Sequence, residues 1–145
     1  MGGVTWNAEK TRVIQLNVSS KQVLTLQNVN KLTALQYLHC SSNKLTALYV
    51  TGLSSLQYLN CSYNQLTTLN VTGLTALQTL FCPYNKLTAL DVTGLTALQY
   101  FNCPYNQLTT LNVTGLTALQ YLYCYSNQLT ALSIVTGKQI GRAHV

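Results

Sequence analysis

The fold is decided by residues 56–76, which read LQYLNCSYNQLTTLNVTGLTA. Their apolar side chains follow two linked patterns, LxxLxCxxNxL and LxxLxVxGL, which share Leu66. The residues on both sides repeat these patterns, and a cysteine recurs at a constant interval, at Cys40, Cys61, Cys82, Cys103 and Cys124. A fixed period of this length predicts a solenoid, in which each repeat forms one turn and buries its apolar face only against its neighbours.

Two further residue types keep this period. Asparagines recur at Asn43, Asn64, Asn85, Asn106 and Asn127, and glycines recur at Gly52, Gly73, Gly94 and Gly115. An earlier, divergent turn starts at Val13, one position further from Leu35 than the period requires, which predicts one inserted residue near Gln27–Asn30. We therefore expect six turns, whose first-half strands begin at Val13, Leu35, Leu56, Leu77, Leu98 and Leu119.

The repeat resembles the leucine-rich repeat, in particular the short bacterial 21-residue type in which the LxxLx[LCV] motif is doubled. The resemblance implies a β-rich solenoid of stacked turns, with a parallel β-sheet on the concave side, an extended convex side and little or no α-helix. It covers residues 13–134, with the last turn incomplete, and residues 1–12 are expected to form a lead-in cap in which Trp6 covers the core. It also implies a cell-surface or secreted bacterial setting, which the residues themselves do not reveal.

The C-terminal segment departs from the repeat. The motif ends after Ile134, and the final segment, IGRAHV, resembles a translated reading frame of a sequencing adapter. We therefore expect residues 135–145 to be a non-native tail and the natural protein to continue with further turns. A last turn without a cap would leave apolar side chains uncovered and favour end-to-end self-association, through Leu129, Leu132 and Ile134.

The composition argues against nucleic-acid binding and membrane insertion. Apolar residues make up 48% of the chain and charged residues only 7%. The formal charge is +6, but residues 32–132 carry only +1, from Lys44, Lys86 and Asp91. Nucleic-acid binding needs basic charge clustered on one face, and no stretch approaches the ~20 apolar residues of a transmembrane helix.

Catalytic groups are scarce. The two histidines and two acids, His39, His144, Glu9 and Asp91, lie in different turns or in the terminal segments. No carboxylate pair, nucleophile–base pair or phosphate-binding loop can be assembled from them. The sequence therefore predicts no enzymatic activity, no cofactor and no metal, and His39 is expected to be a surface contact on a strand.

The cysteine and asparagine columns are predicted to be structural. Val18 stands in the cysteine slot of the first turn, so the slot belongs to the core. Stacked cysteines would have parallel Cβ vectors, which suit a disulfide poorly, and the wide, even spacing is not that of a zinc site. Each asparagine amide is expected to bond the backbone of its own bend and of the next turn. The glycines permit a tight or left-handed second corner.

The tyrosines carry the functional signal, since nine of the ten fall on one face and only Tyr49 lies elsewhere. The predicted binding face consists of Tyr37, His39, Tyr58, Asn60, Tyr63, Phe81, Tyr84, Tyr100, Asn102, Tyr105, Tyr121, Tyr123 and Tyr125. Tyrosine gives a large contact area and a polar tip at a low entropic cost, which suits a binding surface. Alternatively, aromatic side chains favour strands and stack as ladders in any copied repeat.

Two functional hypotheses follow. The first is a binding module whose concave tyrosine-rich face engages a protein or a glycan. The alternative is a structural spacer or self-stacking element with no specific ligand. Joint substitution of Tyr58, Tyr100 and Tyr121 separates them, because only the first predicts loss of a partner while the fold stays intact.

Overall fold

The computed structural model describes residues 3–6, 12–134 and 142–144, and these form stacked turns. Within those ranges lie ten short strands: β1 (Gly3–Trp6), β2 (Val13–Asn17), β3 (Tyr37–His39), β4 (Tyr58–Asn60), β5 (Thr79–Phe81), β6 (Tyr100–Asn102), β7 (Thr110–Asn112), β8 (Tyr121–Tyr123), β9 (Ala131–Ser133) and β10 (Arg142–His144). Their one helical segment is the 3-10 turn Val29–Lys31. The predicted β-rich solenoid is thus confirmed, and the described residues contain no α-helix.

The strands form two sheets, one on each side of the turns. The first sheet has the order β1-β2-β3-β4-β5-β6-β8-β10, and the second pairs β7 with β9. From β3 to β8 the parallel pairing joins equivalent residues of successive repeats, as in Leu38 with Leu59. Strand β1 instead runs antiparallel to β2, a hairpin that the sequence did not predict.

The first step along the sheet is one residue longer than the steps that follow, since Leu16 pairs with Leu38 whereas Leu38 pairs with Leu59. The extra residue lies at Asn28, which takes a left-handed φ of 59° directly before the 3-10 turn. That turn is closed by the Leu32 N–H, which donates to the Val29 carbonyl at 3.0 Å. The insertion therefore enlarges one corner and leaves the strand register intact.

The strands from β3 onward begin later than predicted, at Tyr37 rather than Leu35 in the case of β3. The reason is a tight corner at the predicted start. The Leu56 N–H, for example, donates to the Leu53 carbonyl at 2.9 Å, so the chain is still bent at Leu56 and becomes extended only at Tyr58.

The core consists of columns of equivalent side chains. The central residue of each repeat strand has no exposed surface, at Leu38, Leu59, Leu80, Phe101 and Leu122. The cysteines form a parallel column beside it, all five buried and unpaired. Burial of a leucine is worth about 1.5–3 kcal/mol relative to exposure. Stacking of the turns is therefore driven by these columns.

The glycine column is required by the backbone and not by space. Gly73 has a φ of +81°, and Gly52, Gly94 and Gly115 are similar at +87°, +81° and +82°. No atom would contact an added Cβ at these positions within 4 Å. Side chains are disfavoured there because L-residues rarely adopt this φ.

Part of the terminal predictions falls outside the described residues. The cap and tail predictions that fall there concern residues 1–2, 7–11, 135–141 and 145 and the side chain of Trp6. Strand β10 pairs in parallel with β8, Arg142 with Tyr121 and Ala143 with Leu122, and thereby continues the sheet. In the part of the chain that is described, no helix is long and apolar enough to cross a membrane.

Candidate binding surface

The bend after each first-sheet strand is held by the asparagine column. The Nδ2 of Asn85 donates to the Cys82 carbonyl of its own turn and to the Cys61 carbonyl of the preceding turn, both at 3.1 Å. Its Oδ1 accepts the Leu66 N–H at 3.0 Å. Asn85 is only 8% exposed, so these bonds satisfy backbone groups that water does not reach.

The neighbouring turn that each asparagine contacts is the preceding one, which corrects the predicted contact with the next turn. Asn64 shows why. Its backbone N–H donates to the Tyr84 carbonyl of the following turn at 3.2 Å. The side chain points the other way, where Nδ2 reaches the Cys40 carbonyl at 3.0 Å and Oδ1 reaches the Leu45 N–H at 3.0 Å.

The residue before each asparagine lies in the left-handed region. Tyr63, Tyr84 and Tyr105 have φ of 54°, 54° and 53°, and Ser42 and Ser126 take the same conformation at 54° and 53°. Such a backbone costs a non-glycine residue of order 1–3 kcal/mol. Because serine fills this position in other turns, the bend itself does not call for tyrosine.

Those three tyrosines form the bend ladder (Tyr63, Tyr84, Tyr105). Their rings stack with centroids 4.4 Å and 4.2 Å apart and interplanar angles of 11° and 13°. Tyr125 meets Tyr105 edge-on at 5.6 Å. A hydrogen bond between the Tyr84 and Tyr105 hydroxyls, together with desolvation and the neighbouring phenols, raises the pKa of Tyr84 to about 12. The stacked rings cover one another's faces, so the ladder presents ring edges and hydroxyls to solvent.

A second column, the strand ladder (Tyr37, Tyr58, Tyr100, Tyr121), lies on the first residues of β3, β4, β6 and β8. Tyr37 stacks on Tyr58 at 4.3 Å, and Tyr100 stacks on Tyr121 at 4.6 Å, both with interplanar angles of 7°. Burial, and then the adjacent Tyr58, raise the pKa of Tyr37. The equivalent residue of β5 is Thr79, which divides the ladder into two pairs.

Between the ladders runs a mixed column on the last residues of the same strands, made of His39, Asn60, Phe81, Asn102 and Tyr123. The Nε2 of His39 lies 2.8 Å from the Ser41 hydroxyl, and burial lowers the pKa of the imidazole, which favours its neutral form. Phe81 meets Tyr58 edge-on at 5.9 Å. The structure thus brings the predicted face together as three adjacent columns.

Asn102 differs from its counterpart two turns earlier. The Oδ1 of Asn60 accepts from the Ser62 N–H at 3.1 Å and the Ser62 hydroxyl at 2.7 Å. Pro104 replaces that serine in the turn of Asn102 and offers neither donor. The Asn102 Oδ1 is buried and has no hydrogen-bond partner among the described residues.

The cysteine column has the properties of a core and not of a reactive centre. Burial raises the pKa of the Cys40 thiol to about 12 and raises those of Cys61 and Cys82 well above their ordinary value. Thiolate is the nucleophilic and metal-binding form. Among the described residues, no three His, Cys, Asp or Glu side chains are grouped so that they could hold a metal ion.

The turns repeat one local geometry, and its sequence pattern matches a known repeat family. The Leucine Rich Repeat model matches residues 55–77, which form one complete turn, and the other turns keep its strand pairing and its asparagine contacts. The chain is a leucine-rich repeat protein. Such repeats are typical of protein-binding modules and not of enzymes.

Among solved structures, this leucine-rich repeat protein is similar to the functional domain of InlJ from Listeria monocytogenes, which is described as including a cysteine ladder. The two are 31% identical over 86% of this chain and 39% of that one, with a TM-score of 0.49. The present chain therefore spans less than half the length of that domain. Comparison with curated proteins gives no match.

Sequence reasoning missed two features of this leucine-rich repeat surface. The left-handed backbone of the bend ladder has no sequence signal, because glycine or asparagine normally marks such a position and tyrosine does not. The unpaired Asn102 Oδ1 did have a signal. Asn60 is followed two positions later by serine, whereas Asn102 is followed by proline, which cannot donate.

Proposed function

We propose that this chain is a protein-binding module and that its contact surface is the face formed by the bend ladder, the strand ladder and the column between them. One observation carries the proposal. Tyr63, Tyr84 and Tyr105 occupy a strained backbone position that serine fills elsewhere, and their rings, 54%, 41% and 43% exposed, contact chiefly one another. Because the bend also forms with serine, folding does not require the tyrosine rings, and exposed aromatic side chains of this kind favour a role in binding.

Rigidity supports the same proposal. Pro83 and Pro104 directly precede Tyr84 and Tyr105, and proline fixes the backbone φ of the residue before the ring. Stacked tyrosines held in this way lose little entropy when a partner binds, so more of the contact energy remains as affinity. Protein is favoured over glycan as the ligand because stacked rings leave few ring faces on which a sugar could lie.

The test is a screen of displayed proteins against the immobilised chain, with the triple variant Tyr63→Ser, Tyr84→Ser, Tyr105→Ser as the counter-screen. Serine is the matched replacement because Ser42 and Ser126 already adopt this backbone. We expect partners of the wild type to lose at least tenfold in affinity, as expected when central aromatic contacts are removed. The control variant Thr67→Ser, Thr88→Ser, Thr109→Ser changes exposed residues of the opposite side and should retain every partner. Equal binding by all three proteins would instead favour the spacer.

The proposal extends to the cellular location of the protein. The module would belong to a larger bacterial surface or secreted protein, as its short repeat suggests. Fractionation of cells that express the complete gene tests this, since a product found only in the cytoplasm would contradict it.

We also propose self-association through the last described turn. Leu129 and Leu132 are half-buried and line an open pocket of about 390 Å³, and Ile134 is 51% exposed. Light scattering at increasing concentration should show association that Leu132→Lys weakens, whereas a monomer at all concentrations would refute it.

A further inference from the structure

The strand ladder lacks one rung. Tyr37 stacks on Tyr58 and Tyr100 stacks on Tyr121, but Thr79 stands between the two pairs. Because each strand adds about 4.8 Å, the rings of Tyr58 and Tyr100 are separated by roughly 9–10 Å. This is close to twice the spacing within each pair, which is 4.3 Å in one and 4.6 Å in the other. The gap above Thr79 is therefore the size of one further ring.

Tyr100, one wall of the gap, is exposed to solvent. Tyr100 is 39% exposed, whereas Tyr58 and Tyr121 are less exposed. Phe81, two positions after Thr79 on β5, lies edge-on to Tyr58 at 5.9 Å. No ring of the described residues stacks on Tyr100 from the side of β5.

Resting on the function proposed above, we propose that the notch formed by Tyr58, Thr79 and Tyr100 receives one neutral aromatic side chain of the partner protein. The inserted ring completes the ladder, with Tyr58 on one face and Tyr100 on the other. Each aromatic pair adds to the energy of burying the ring. The notch therefore selects for a planar apolar group at a defined point of the partner.

The charge distribution favours a neutral ring over an arginine side chain. A guanidinium is also planar and stacks on aromatic faces. However, the chain has a formal charge of +6, and the three columns of the face contain no carboxylate. Asp91, the one acid among the described residues, lies in the second half of its turn and accepts the Thr93 N–H at 2.9 Å. A cationic ligand would thus meet no counter-charge at the notch.

A pyranose ring fits the notch less well than an aromatic ring. Its hydroxyls would lose water and need hydrogen-bond partners in exchange. The unpartnered acceptor beside the notch, the Asn102 Oδ1, is buried and out of reach of a ligand. The walls that a ligand does reach are ring faces.

The experiment uses small probes of defined chemistry on the whole chain. N-acetyl-tryptophanamide and N-acetyl-tyrosinamide are titrated while the Thr79 methyl signal is followed by NMR. We expect saturable upfield ring-current shifts with a Kd of about 1–10 mM, a range usual for fragments of this size. N-acetyl-leucinamide, N-acetyl-argininamide and methyl glucoside are the comparison probes, and none should shift the Thr79 methyl.

Two variants locate the site. Thr79→Tyr supplies the missing rung from within, and the fold tolerates tyrosine there because four other strands carry it at this position. Because that variant lacks the Thr79 methyl, probe binding to it is followed by saturation transfer to the probe signals. We expect its affinity for the aromatic probes to be at least tenfold lower than that of the wild type. Thr88→Tyr adds the same ring to an exposed position of the opposite side and should leave binding unchanged. The urea midpoint of each variant verifies folding.

The outcomes are distinct from those of the proposed function. No saturable shift with either aromatic probe, unchanged binding in Thr79→Tyr, or a stronger response to methyl glucoside or the arginine probe would each overturn the notch. The triple serine variant of the bend ladder leaves the notch intact, so partner binding lost there shows a functional face even if the probes do not bind. Conversely, probe binding at Thr79 would support the notch even if the bend ladder proves dispensable for partner binding.

Discussion

Tyr84 and Asn85 are neighbours in the chain and recur together, yet their side chains serve different ends. Asn85 is buried and joins two turns through hydrogen bonds of 3.0 Å and 3.1 Å. Tyr84 is exposed, and its ring meets chiefly the rings of Tyr63 and Tyr105. Periodicity alone therefore does not distinguish a residue that holds the solenoid from one that covers it. Burial and bonding partners make that distinction.

Alkaline pH should give the largest effect, because the folded chain holds a whole column of buried thiols in the protonated form. Burial holds the pKa of the Cys40, Cys61, Cys82 and Cys103 thiols above the usual value of 9.0. In the unfolded chain they lose their protons near pH 9, while the folded chain keeps them. The folded state thus binds more protons, and its stability falls as pH rises from 9 towards 12 by about 1 kcal/mol per pH unit for each thiol.

Urea midpoints measured between pH 8 and pH 11 in reducing buffer check this prediction. Cys82→Val is the matched control, because Val18 already fills the cysteine slot of the first turn. The control should lose stability less steeply above pH 9, by the contribution of one thiol. Parallel curves for the two proteins would show that buried thiols do not set the alkaline limit.

Asn85→Ala should produce the next largest effect. It removes the side-chain amide, so the buried Leu66 N–H loses its acceptor. The Cys61 and Cys82 carbonyls each lose one donor and keep only the bond from Asn64 or Asn106. We expect a loss of about 2–4 kcal/mol in the free energy of unfolding at pH 7. Asn85→Asp keeps an acceptor for Leu66 but loses the amide donor, so it tests the donor bonds separately. A loss no larger than that of a surface substitution would mean that the asparagine column is dispensable.

Tyr84→Ser should produce the smallest effect of the three. Serine already adopts this backbone at Ser42, and the tyrosine ring is exposed and stacks on the rings of Tyr63 and Tyr105. The melting temperature should change by less than about 3 °C, within the usual range for surface substitutions. A loss of stability comparable to that of Asn85→Ala would show that the bend ladder is a structural element, and it would remove the main support for a binding role.

Much of the fold could be predicted because its causes are local and repeat. The spacing of cysteines and leucines determines which side chains face inward, and the longer step from Val13 to Leu35 located the enlarged corner. The strand starts were less accurate, since the corner bond from Leu56 to Leu53 depends on the folded loop and not on the pattern.

The arrangement of the candidate face was not predictable from the sequence, and its role in binding stays a prediction. Position in the repeat places Tyr58 at the start of a strand and Tyr84 in the bend that follows the next strand. Whether their rings stack, lie edge-on or leave a gap depends on side-chain rotamers and on strand spacing, which one sequence does not encode visibly. The direction of the asparagine bonds was missed for a similar reason, because it follows from which way each backbone N–H faces in the sheet.

That direction gives the solenoid an order of assembly. The side chain of Asn64 bonds only within its own turn and to the turn before it, at Cys40 and Leu45. During synthesis, each new turn therefore brings the side chain that bonds it to the turn already made, and this side-chain bond does not depend on the turn that follows. Duplication of one repeat unit within the gene also duplicates this asparagine and its bonds. Arrays of this kind can therefore lengthen by whole turns without changes in the neighbouring turns.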